Sequence, residues 1–319
     1  MVEVILLIVG FIMIIKASDV LVDSASSLAI KFKVPKMLVA LTIVSFGTCA
    51  PEVAISFNSV AAKNGTMAFA NVVGSCIVNV FLIIGLAALA RNIKVKHNTV
   101  KKEMPILLLI TTCFSILMLD SLFNQKNHNI FSRADGIILI LLFFMFVAYL
   151  VQLFMNSKEK EEVKKKAKPK YDSIIISLIL LILSTILIIL SSDLIVDNAI
   201  KLAKVLRISE KVITMTAVVI GTSLPELFMT VSSARKGEFE MTIGNIIGTN
   251  IFNVCIVLGL PVAIYGDISL TNFSVVDILV VFLTSLDLFL FARSEKTVSK
   301  QEGVIMLLIF VVYYFYLFF

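Results

Sequence analysis

Two short segments place a carboxylate directly after a proline inside a long apolar stretch. They read Gly47-Thr48-Cys49-Ala50-Pro51-Glu52 and Gly221-Thr222-Ser223-Leu224-Pro225-Glu226. A carboxylate at the depth of a lipid bilayer is costly to desolvate, so such residues commonly mark ion or proton pathways. We therefore interpret Glu52 and Glu226 as candidate cation ligands that act as one pair.

The composition indicates that both segments lie in a membrane. Hydrophobic residues make up 59% of the 319 residues, and the mean hydropathy is +1.02. Apolar runs of about 20 residues, the length of a membrane-spanning helix, recur along the chain. The predicted fold class is an all-α polytopic membrane protein. We predict ten transmembrane helices, at about 4–30, 36–61, 67–90, 103–121, 133–155, 173–203, 210–234, 241–264, 274–292 and 301–318.

Basic residues are distributed unequally between the two predicted sides of the membrane. One set of loops carries 20 of the 28 Lys and Arg residues, and the other set carries 7. The positive-inside rule makes the richer set cytoplasmic, which puts both termini outside in a multi-pass protein of the cell membrane. The net charge of +6 then reflects orientation and not nucleic-acid binding. The richer loops are 31–36, 91–102, 158–170, 235–240 and 293–300.

The chain contains an internal repeat. Residues 18–86 align with residues 192–260 without a gap, and 22 of the 69 positions are identical. Equivalent residues are thus 174 positions apart, a separation that we call the repeat offset. The identities include Glu, Pro, Asn, Asp and Gly, which chance similarity between apolar helices would not favour. The repeat divides the chain into two five-helix halves, 1–156 and 172–319, joined by a short linker, 157–171. Because five is odd, the halves must enter the membrane from opposite sides, as in many secondary transporters.

Each half adds a second polar motif in its third predicted helix, with the pattern Asn-x-x-Gly-(Ser/Thr)-x-x-x-Asn. In the first half Ser75 and Asn79 are four residues apart and share a helix face, as do Thr249 and Asn253 in the second. The prolines also free backbone carbonyls in the preceding turn, near Ser45 and Val219, as further candidate ligands. All these donors are hard oxygens, which suit Na⁺ or Ca²⁺ better than Zn²⁺ or Cu⁺.

Several other polar residues are left open by the sequence. Asn71 and Asn245 could ligate an ion or join neighbouring helices. The positions of the acidic pairs in the first and sixth predicted helices favour roles at a cavity mouth or as a cap over ion ligation. No acidic counterpart in the first half is recognised for the acidic residues of the ninth helix, and no role is assigned to them. These acidic residues are Asp19, Asp23, Asp193, Asp197, Asp277 and Asp287.

The paired motifs resemble the alpha-repeats of the calcium/cation antiporter superfamily, and specifically its sodium/calcium exchangers. This resemblance covers essentially the whole chain. It implies a site built by the second, third, seventh and eighth helices, with first and sixth helices that slide to switch access. Glu52 and Glu226 would be the principal Ca²⁺ ligands. The other implied ligands of Ca²⁺ or Na⁺ are Thr48, Ser75, Asn79, Thr222, Ser223, Thr249 and Asn253.

Two positions distinguish this chain within that resemblance. Cys49 stands where the family usually has Ser, whereas the second half keeps Ser223. Asn253 stands where potassium-dependent members carry Asp, so the chain is more similar to the potassium-independent type. The mismatch between Cys49 and Ser223 predicts ion positions that differ between the two halves.

The resemblance implies a secondary antiporter that exchanges Na⁺ for Ca²⁺ by alternating access. A Ca²⁺/H⁺ antiporter of the same fold is the alternative, and a cation channel is a more distant one. No nucleophile–base pair or phosphate-binding loop is apparent, so we expect no enzymatic activity and no cofactor. The expected partners are Ca²⁺ and Na⁺ as substrates and the lipid bilayer, without nucleic acid or an obligate protein partner.

Overall fold

A computed structural model describes residues 2–119, 129–155, 168–205, 220–270 and 274–318. Long helices dominate these ranges, because a backbone in hydrocarbon must satisfy its hydrogen bonds internally. In chain order the helices are α1 Val2–Phe32, α2 Lys36–Val39, α3 Ser45–Thr48, α4 Ala50–Ala61, α5 Gly65–Ile77, α6 Gly85–Ala90, α7 His97–Lys101, α8 Glu103–Leu117, α9 Arg133–Met155, α10 Ile174–Val205, α11 Leu224–Lys236, α12 Phe239–Phe252, α13 Gly259–Tyr265, α14 Val275–Glu295 and α15 Lys300–Phe318.

Seven of the described helical stretches are long and apolar enough to cross a membrane, and a bent pair would make an eighth. The bent pair, Lys36–Thr48 with Ala50–Ala61, covers the predicted span 36–61. Two other predicted spans, 103–121 and 210–234, run into residues outside the described ranges. The structure thus supports a polytopic helical membrane protein, and the number of ten helices stays a prediction.

In the part of the chain that the structure describes, short π-helical stretches interrupt three of the spans. They cover Ala40–Val44 between α2 and α3, Val78–Ile84 between α5 and α6, and Asn253–Leu258 between α12 and α13. The second and third stretches occupy equivalent positions in the repeat. Such bulges are often found at functional sites. Periodicity alone did not predict them.

The helices α1 and α10 run antiparallel against each other. Near the start of α1, Gly10 lies so close to Ile195 that an added Cβ would be 2.7 Å from the Ile195 Cγ1 atom. Near the end of α1, the Lys31 ammonium donates to the carbonyl of Asp172, just before α10 begins, at 2.6 Å. These two helices are equivalent in the repeat. Their opposite directions are therefore what an inverted repeat requires.

Within the described ranges, two small antiparallel sheets correct the all-α prediction. β1 (Ile93–Lys94) pairs with β4 (Thr297–Val298), and β2 (Asn129–Phe131) pairs with β3 (Ile268–Leu270). Each sheet joins a loop of the first half to a loop of the second, and the paired loops are ones that the charge distribution assigns to the same side. Such short strands carry too few residues for an alternating pattern, so the sequence offered no signal for them.

Candidate functional site

The two Pro-Glu segments break their helices in the same way. Cys49 has φ −75° and ψ 3°, and Ser223 has φ −86° and ψ 3°. Each break is followed by a new helix with proline in its first turn, where a missing N–H removes no helical hydrogen bond. In the first half the two helical pieces differ in direction by 52°. The breaks therefore place both motifs at fresh helix N-termini.

Glu52 and Glu226 both lie in the first turn of these new helices, α4 and α11. The positive end of a helix dipole favours a negative charge there. Both side chains are fully buried, and none of their four carboxylate oxygens accepts a hydrogen bond within the described parts of the chain. A buried carboxylate is costly unless a cation or hydrogen-bond donors compensate it.

Each glutamate lies next to the threonine of the other half's motif. The Thr222 side chain is a polar neighbour of the Glu52 carboxyl, and the Thr48 and Cys49 side chains are neighbours of the Glu226 carboxyl. Glu52 and Glu226 also interact electrostatically with each other. The structure therefore brings the residues of the two motifs together, and their function as one ion site stays a prediction.

The third-span motifs complete this cluster. The Ser223 hydroxyl donates to the Ser75 hydroxyl at 3.4 Å, and the Cys49 side chain interacts with that of Thr249. The two residue pairs are equivalent at the repeat offset, and the Thr249 Oγ1 atom has no hydrogen-bond partner among the described residues. All of Ser75, Thr249 and Ser223 are buried. The third predicted helix of each half thus lies against the Pro-Glu segment of the other half.

Asn79 and Asn253 are both fully buried at the edges of the π-helical stretches. The Asn79 Nδ2 atom donates to the Oδ1 atom of Asn250 at 2.9 Å. The Asn79 Oδ1 atom, and both polar atoms of Asn253, have no hydrogen-bond partner among the described residues. These amides add oxygens that could face a cation.

The sequence also predicted backbone carbonyl ligands near Ser45 and Val219. The Ser45 carbonyl accepts hydrogen bonds from the Cys49 N–H at 3.1 Å and the Thr48 hydroxyl at 3.3 Å. The Ser45 hydroxyl donates away from the glutamates, to the carbonyls of Ala40 and Asn245. These bonds show that the Ser45 oxygens help to close the helix break. A carbonyl oxygen has two lone pairs, so the role of Ser45 as a cation ligand stays a prediction. Val219 lies outside the described residues.

The donor set fits a hard cation. Within the described ranges, no group of three or more His, Cys, Asp or Glu side chains could hold a metal ion. The cluster instead combines two carboxylates with hydroxyl and amide oxygens, all of them buried. Oxygen ligands of this kind suit Na⁺ and Ca²⁺. The arrangement can therefore replace the hydration shell of one of these ions.

A cavity of about 610 Å³ reaches one flank of the cluster. Its lining includes Pro51 and Thr222 from the two motifs, together with Asp193 and Asp197 from α10. The two aspartates are four residues apart and lie on one helix face. They have no ion-pair partner in the part of the chain that the structure describes. This position agrees with the predicted role at a cavity mouth.

The equivalent aspartates of α1 are instead closed off by ion pairs. The Asp23 carboxylate contacts the ammonium groups of Lys236 at 2.7 Å and Lys170 at 2.6 Å, and Asp19 accepts from the Ser232 hydroxyl at 2.6 Å. The hydrogen bond and the charge of Asp23 raise the pKa of Lys170, so its ammonium stays protonated at neutral pH. Nearby, Lys36 pairs with Glu238 at 2.6 Å. The structure is thus open on one flank and bridged on the other.

The structure also corrects the interpretation of Asp277. Glu103 precedes it by the repeat offset and is its counterpart. Each acid lies in the first turn of its helix and accepts a hydrogen bond from a tyrosine, Tyr149 for Glu103 and Tyr313 for Asp277. The repeat offset therefore still holds at these positions, beyond the aligned segments 18–86 and 192–260.

Comparison with known proteins identifies relatives along nearly the whole chain. A family model described as "Sodium/calcium exchanger protein" matches residues 2–152 and 176–319. The inner membrane protein YrbG of Escherichia coli K12 is 35% identical over 266 residues, which cover 81% of this chain and 79% of that protein. The sodium/calcium exchanger MaX1 of Methanosarcina acetivorans is 29% identical and covers 98% of both chains. A solved structure of the sodium-calcium exchanger NCX_Mj, soaked with zero Na⁺ and Ca²⁺, superposes with a TM-score of 0.83 at 29% identity over 98% of each chain.

Proposed function

This chain belongs to the sodium/calcium exchanger protein family, and we propose that it is a secondary antiporter that exchanges Na⁺ for Ca²⁺ across the cell membrane. The single observation that carries the proposal is the pair of fully buried glutamates, Glu52 and Glu226, whose four carboxylate oxygens lack protein hydrogen-bond partners in the described parts of the chain. Cations would supply the missing compensation.

The proposed architecture is ten helices in two inverted five-helix repeats. The antiparallel α1 and α10, and the equivalent contacts made by Ser75 and Thr249, support it. In this architecture the central site lies where the repeats meet, and the two bundle halves move around it. The termini would be extracellular and the 157–171 linker cytoplasmic. The cavity beside Asp193 would then open to the outside.

Charge balance explains the exchange. The two glutamates carry two formal negative charges, which one Ca²⁺ neutralises. Two Na⁺ would do the same, and a third Na⁺ would leave a positive excess. Since both ions need the same carboxylates, their occupancies exclude each other, and inward Na⁺ can drive Ca²⁺ outward. The proposed ligands are Glu52, Glu226, Thr48, Thr222, Ser75, Thr249, Asn79, Asn253 and Ser223, together with the backbone carbonyls near Ser45 and Val219.

The test is Na⁺-dependent Ca²⁺ flux in proteoliposomes that contain the purified protein. We expect Glu52→Gln and Glu226→Gln each to abolish the flux, because each removes one of the two charges that hold Ca²⁺. Glu103→Gln is the matched control, since Glu103 is another buried first-turn carboxylate that lies outside the site. Flux near the wild-type rate in either site variant would refute the assignment.

A Ca²⁺/H⁺ antiporter is the second candidate, because a buried glutamate can carry a proton in place of Na⁺. The two buried carboxylates without protein partners favour it as much as they favour Na⁺ exchange. Flux measurements with imposed Na⁺ or pH gradients distinguish the two antiporters. Ca²⁺ uptake driven by a Na⁺ gradient at equal pH supports the Na⁺ exchanger, whereas uptake driven only by a pH gradient supports the alternative.

A further inference from the structure

Three buried asparagines around the glutamates are bonded in the same one-sided way. The Nδ2 atom of Asn71 donates to Ser56 Oγ at 3.1 Å, that of Asn245 donates to Thr230 Oγ1 at 3.1 Å, and that of Asn79 donates to Asn250 Oδ1 at 2.9 Å. The Oδ1 atoms of these three asparagines are buried and have no hydrogen-bond partner among the described residues. Each amide thus has its NH₂ end bonded and its oxygen end uncommitted.

Two of these bonds are repeated by the two halves. Ser56 and Thr230 are equivalent at the repeat offset, and each lies one helical turn after a site glutamate, Glu52 or Glu226. Both hydroxyl-bearing residues are fully buried. The asparagine follows its hydroxyl partner by the same 15 residues in each half. Two independent copies of one contact indicate a requirement shared by both halves.

The one-sided bonding matters because an asparagine amide has two ends of similar shape and opposite polarity. Turning the amide by half a revolution would present NH₂ where a cation needs an oxygen. An acceptor-only partner such as Asn250 Oδ1 prevents this, since the turned amide would leave oxygen facing oxygen. The Ser56 and Thr230 hydroxyls can also donate, so they fix where the amide lies, and the cation then favours its oxygen end. Asn71 gains a second restraint, because its Nδ2 atom also donates to the backbone carbonyl of Glu52 at 3.2 Å.

We propose that Ser56, Thr230 and Asn250 are positioning residues that hold three asparagine amides with their oxygens toward the transported cation. They touch no ion themselves. The inference rests on the proposed function of the glutamate site and extends it, since Asn71 and Asn245 become additional oxygen donors on the flanks of that site.

The repeat also shows that the hydrogen bond between Asn79 and Asn250 has no equivalent at Asn253. The position equivalent to Asn250 is Cys76, and a thiol is a weak hydrogen-bond acceptor. Asn253, the equivalent of Asn79, accordingly has neither amide atom bonded among the described residues. Asn79 is therefore held in one orientation, whereas Asn253 can turn. The two halves offer unequal amides to the ion.

The experiment compares hydroxyl-removing variants with conservative ones in proteoliposomes. Thr230→Val and Ser56→Ala should raise the KM for Ca²⁺ about fivefold, which corresponds to the loss of one hydrogen bond. The kcat should stay within about twofold, because the carboxylates are intact. Thr230→Ser and Ser56→Thr exchange the side chains that the two halves already use, and they should restore most of the affinity.

A double-mutant cycle tests the coupling directly. If Thr230 acts through Asn245, then Thr230→Val adds little to the loss caused by Asn245→Ala, and the two effects are not additive. Additive losses would overturn the proposal. The same cycle applies to Asn250→Leu with Asn79→Ala, where Asn250→Asp keeps the acceptor.

The control is a buried hydroxyl pair that lies elsewhere, Thr111 and Ser285, whose Oγ atoms are 2.8 Å apart. Thr111→Val should not change the KM for Ca²⁺. An equal rise in this control and in Thr230→Val would show a general packing effect and overturn the proposal.

Calorimetric titration of the purified variants with Ca²⁺ distinguishes failure of the positioning proposal from failure of the proposed exchange function. A protein that binds Ca²⁺ without Na⁺-dependent flux fails the exchange function, and its titrations still test the positioning.

Discussion

The hydroxyl oxygens of Thr111 and Ser285 lie 2.8 Å apart in the buried interface between α8 and α14. The separation of these two residues along the chain equals the repeat offset. Equivalent atoms of two halves related by a two-fold axis can touch only close to that axis. The contact therefore marks where such an axis would pass, beyond the aligned segment 18–86 and 192–260.

Gly248 should not tolerate a side chain. A Cβ atom there would lie 2.4 Å from the Ser45 Oγ atom and 2.9 Å from the backbone of Leu41. Because one of these neighbours is backbone, the helices must separate, which costs about 1–3 kcal/mol. We expect Gly248→Ala to lower the melting temperature of the detergent-solubilised protein and to lose most of the flux. Gly10→Ala is the comparison, since its close contact is one side-chain atom, Ile195 Cγ1 at 2.7 Å, and the nearest backbone atom lies at 3.5 Å; we expect a smaller loss of stability there. Equal stability of both variants would contradict this prediction.

Lys236 should hold the bridged flank closed. Its ammonium contacts Asp23 at 2.7 Å and the Asp19 carboxylate at 3.7 Å. The equivalent position in the first half is Ala62, so the open flank has no matching lysine there to form the same bridge. Each partly exposed ion pair contributes about 0.2–1 kcal/mol, and Lys236→Met should shift the equilibrium toward opening of this flank by a few-fold.

The measurement for Lys236 is labelling of a cysteine introduced at the buried Ser232 in a background without the four native cysteines. A membrane-impermeant maleimide should react faster when Lys236→Met is added. Lys94→Met, at the exposed position of strand β1, provides the control. An unchanged labelling rate would show that the ion pairs do not bias the opening.

Asp193 and Asp197 should attract cations into the cavity. Both line its wall beside Thr222, and negative side chains in a cleft raise the local cation concentration. Asp193→Asn and Asp197→Asn should raise the KM for the ion that enters from this flank about two- to threefold and leave kcat unchanged. The difference should shrink at high ionic strength, because salt screens exposed charges.

The control for these two variants is Asp287→Asn, on α14 and away from the cavity lining. A KM effect that is independent of ionic strength would contradict attraction and indicate direct ligation by the aspartates.

Cys49 should weaken Na⁺ binding relative to serine. Its side chain lies beside both glutamates and Thr249, and sulfur is a poorer ligand for a hard cation than oxygen. Cys49→Ser should lower the Na⁺ concentration for half-maximal exchange and raise the Hill coefficient, with little change in the KM for Ca²⁺. The reverse exchange, Ser223→Cys, should raise that concentration. The opposite order would show that this pair does not contact Na⁺.

Much of the candidate site follows from local sequence features. Glu52 and Glu226 are recognisable because a carboxylate inside an apolar run is costly to desolvate. This cost can be read from the neighbouring residues in the sequence alone. The repeat offset pairs the motifs, because identical polar residues in apolar helices are informative. The break before Pro51 was expected from the proline in the same way. The sheets β1–β4 and β2–β3 and the 52° angle between the two helical pieces were not, since they depend on contacts between distant segments.

The sequence by itself determined which side chains are costly in the membrane and how the two halves correspond. Only the tertiary structure decided that Thr222 faces Glu52 and Thr48 faces Glu226, and that the Ser45 oxygens close a helix break. It also decided which aspartates line a cavity and which are bridged by Lys170 and Lys236. The physical reason is that ligand orientation depends on helix crossing and on hydrogen bonds between segments that are distant in the chain, such as the bond from Asn79 to Asn250. Helical periodicity describes one face at a time and carries no information about which faces meet.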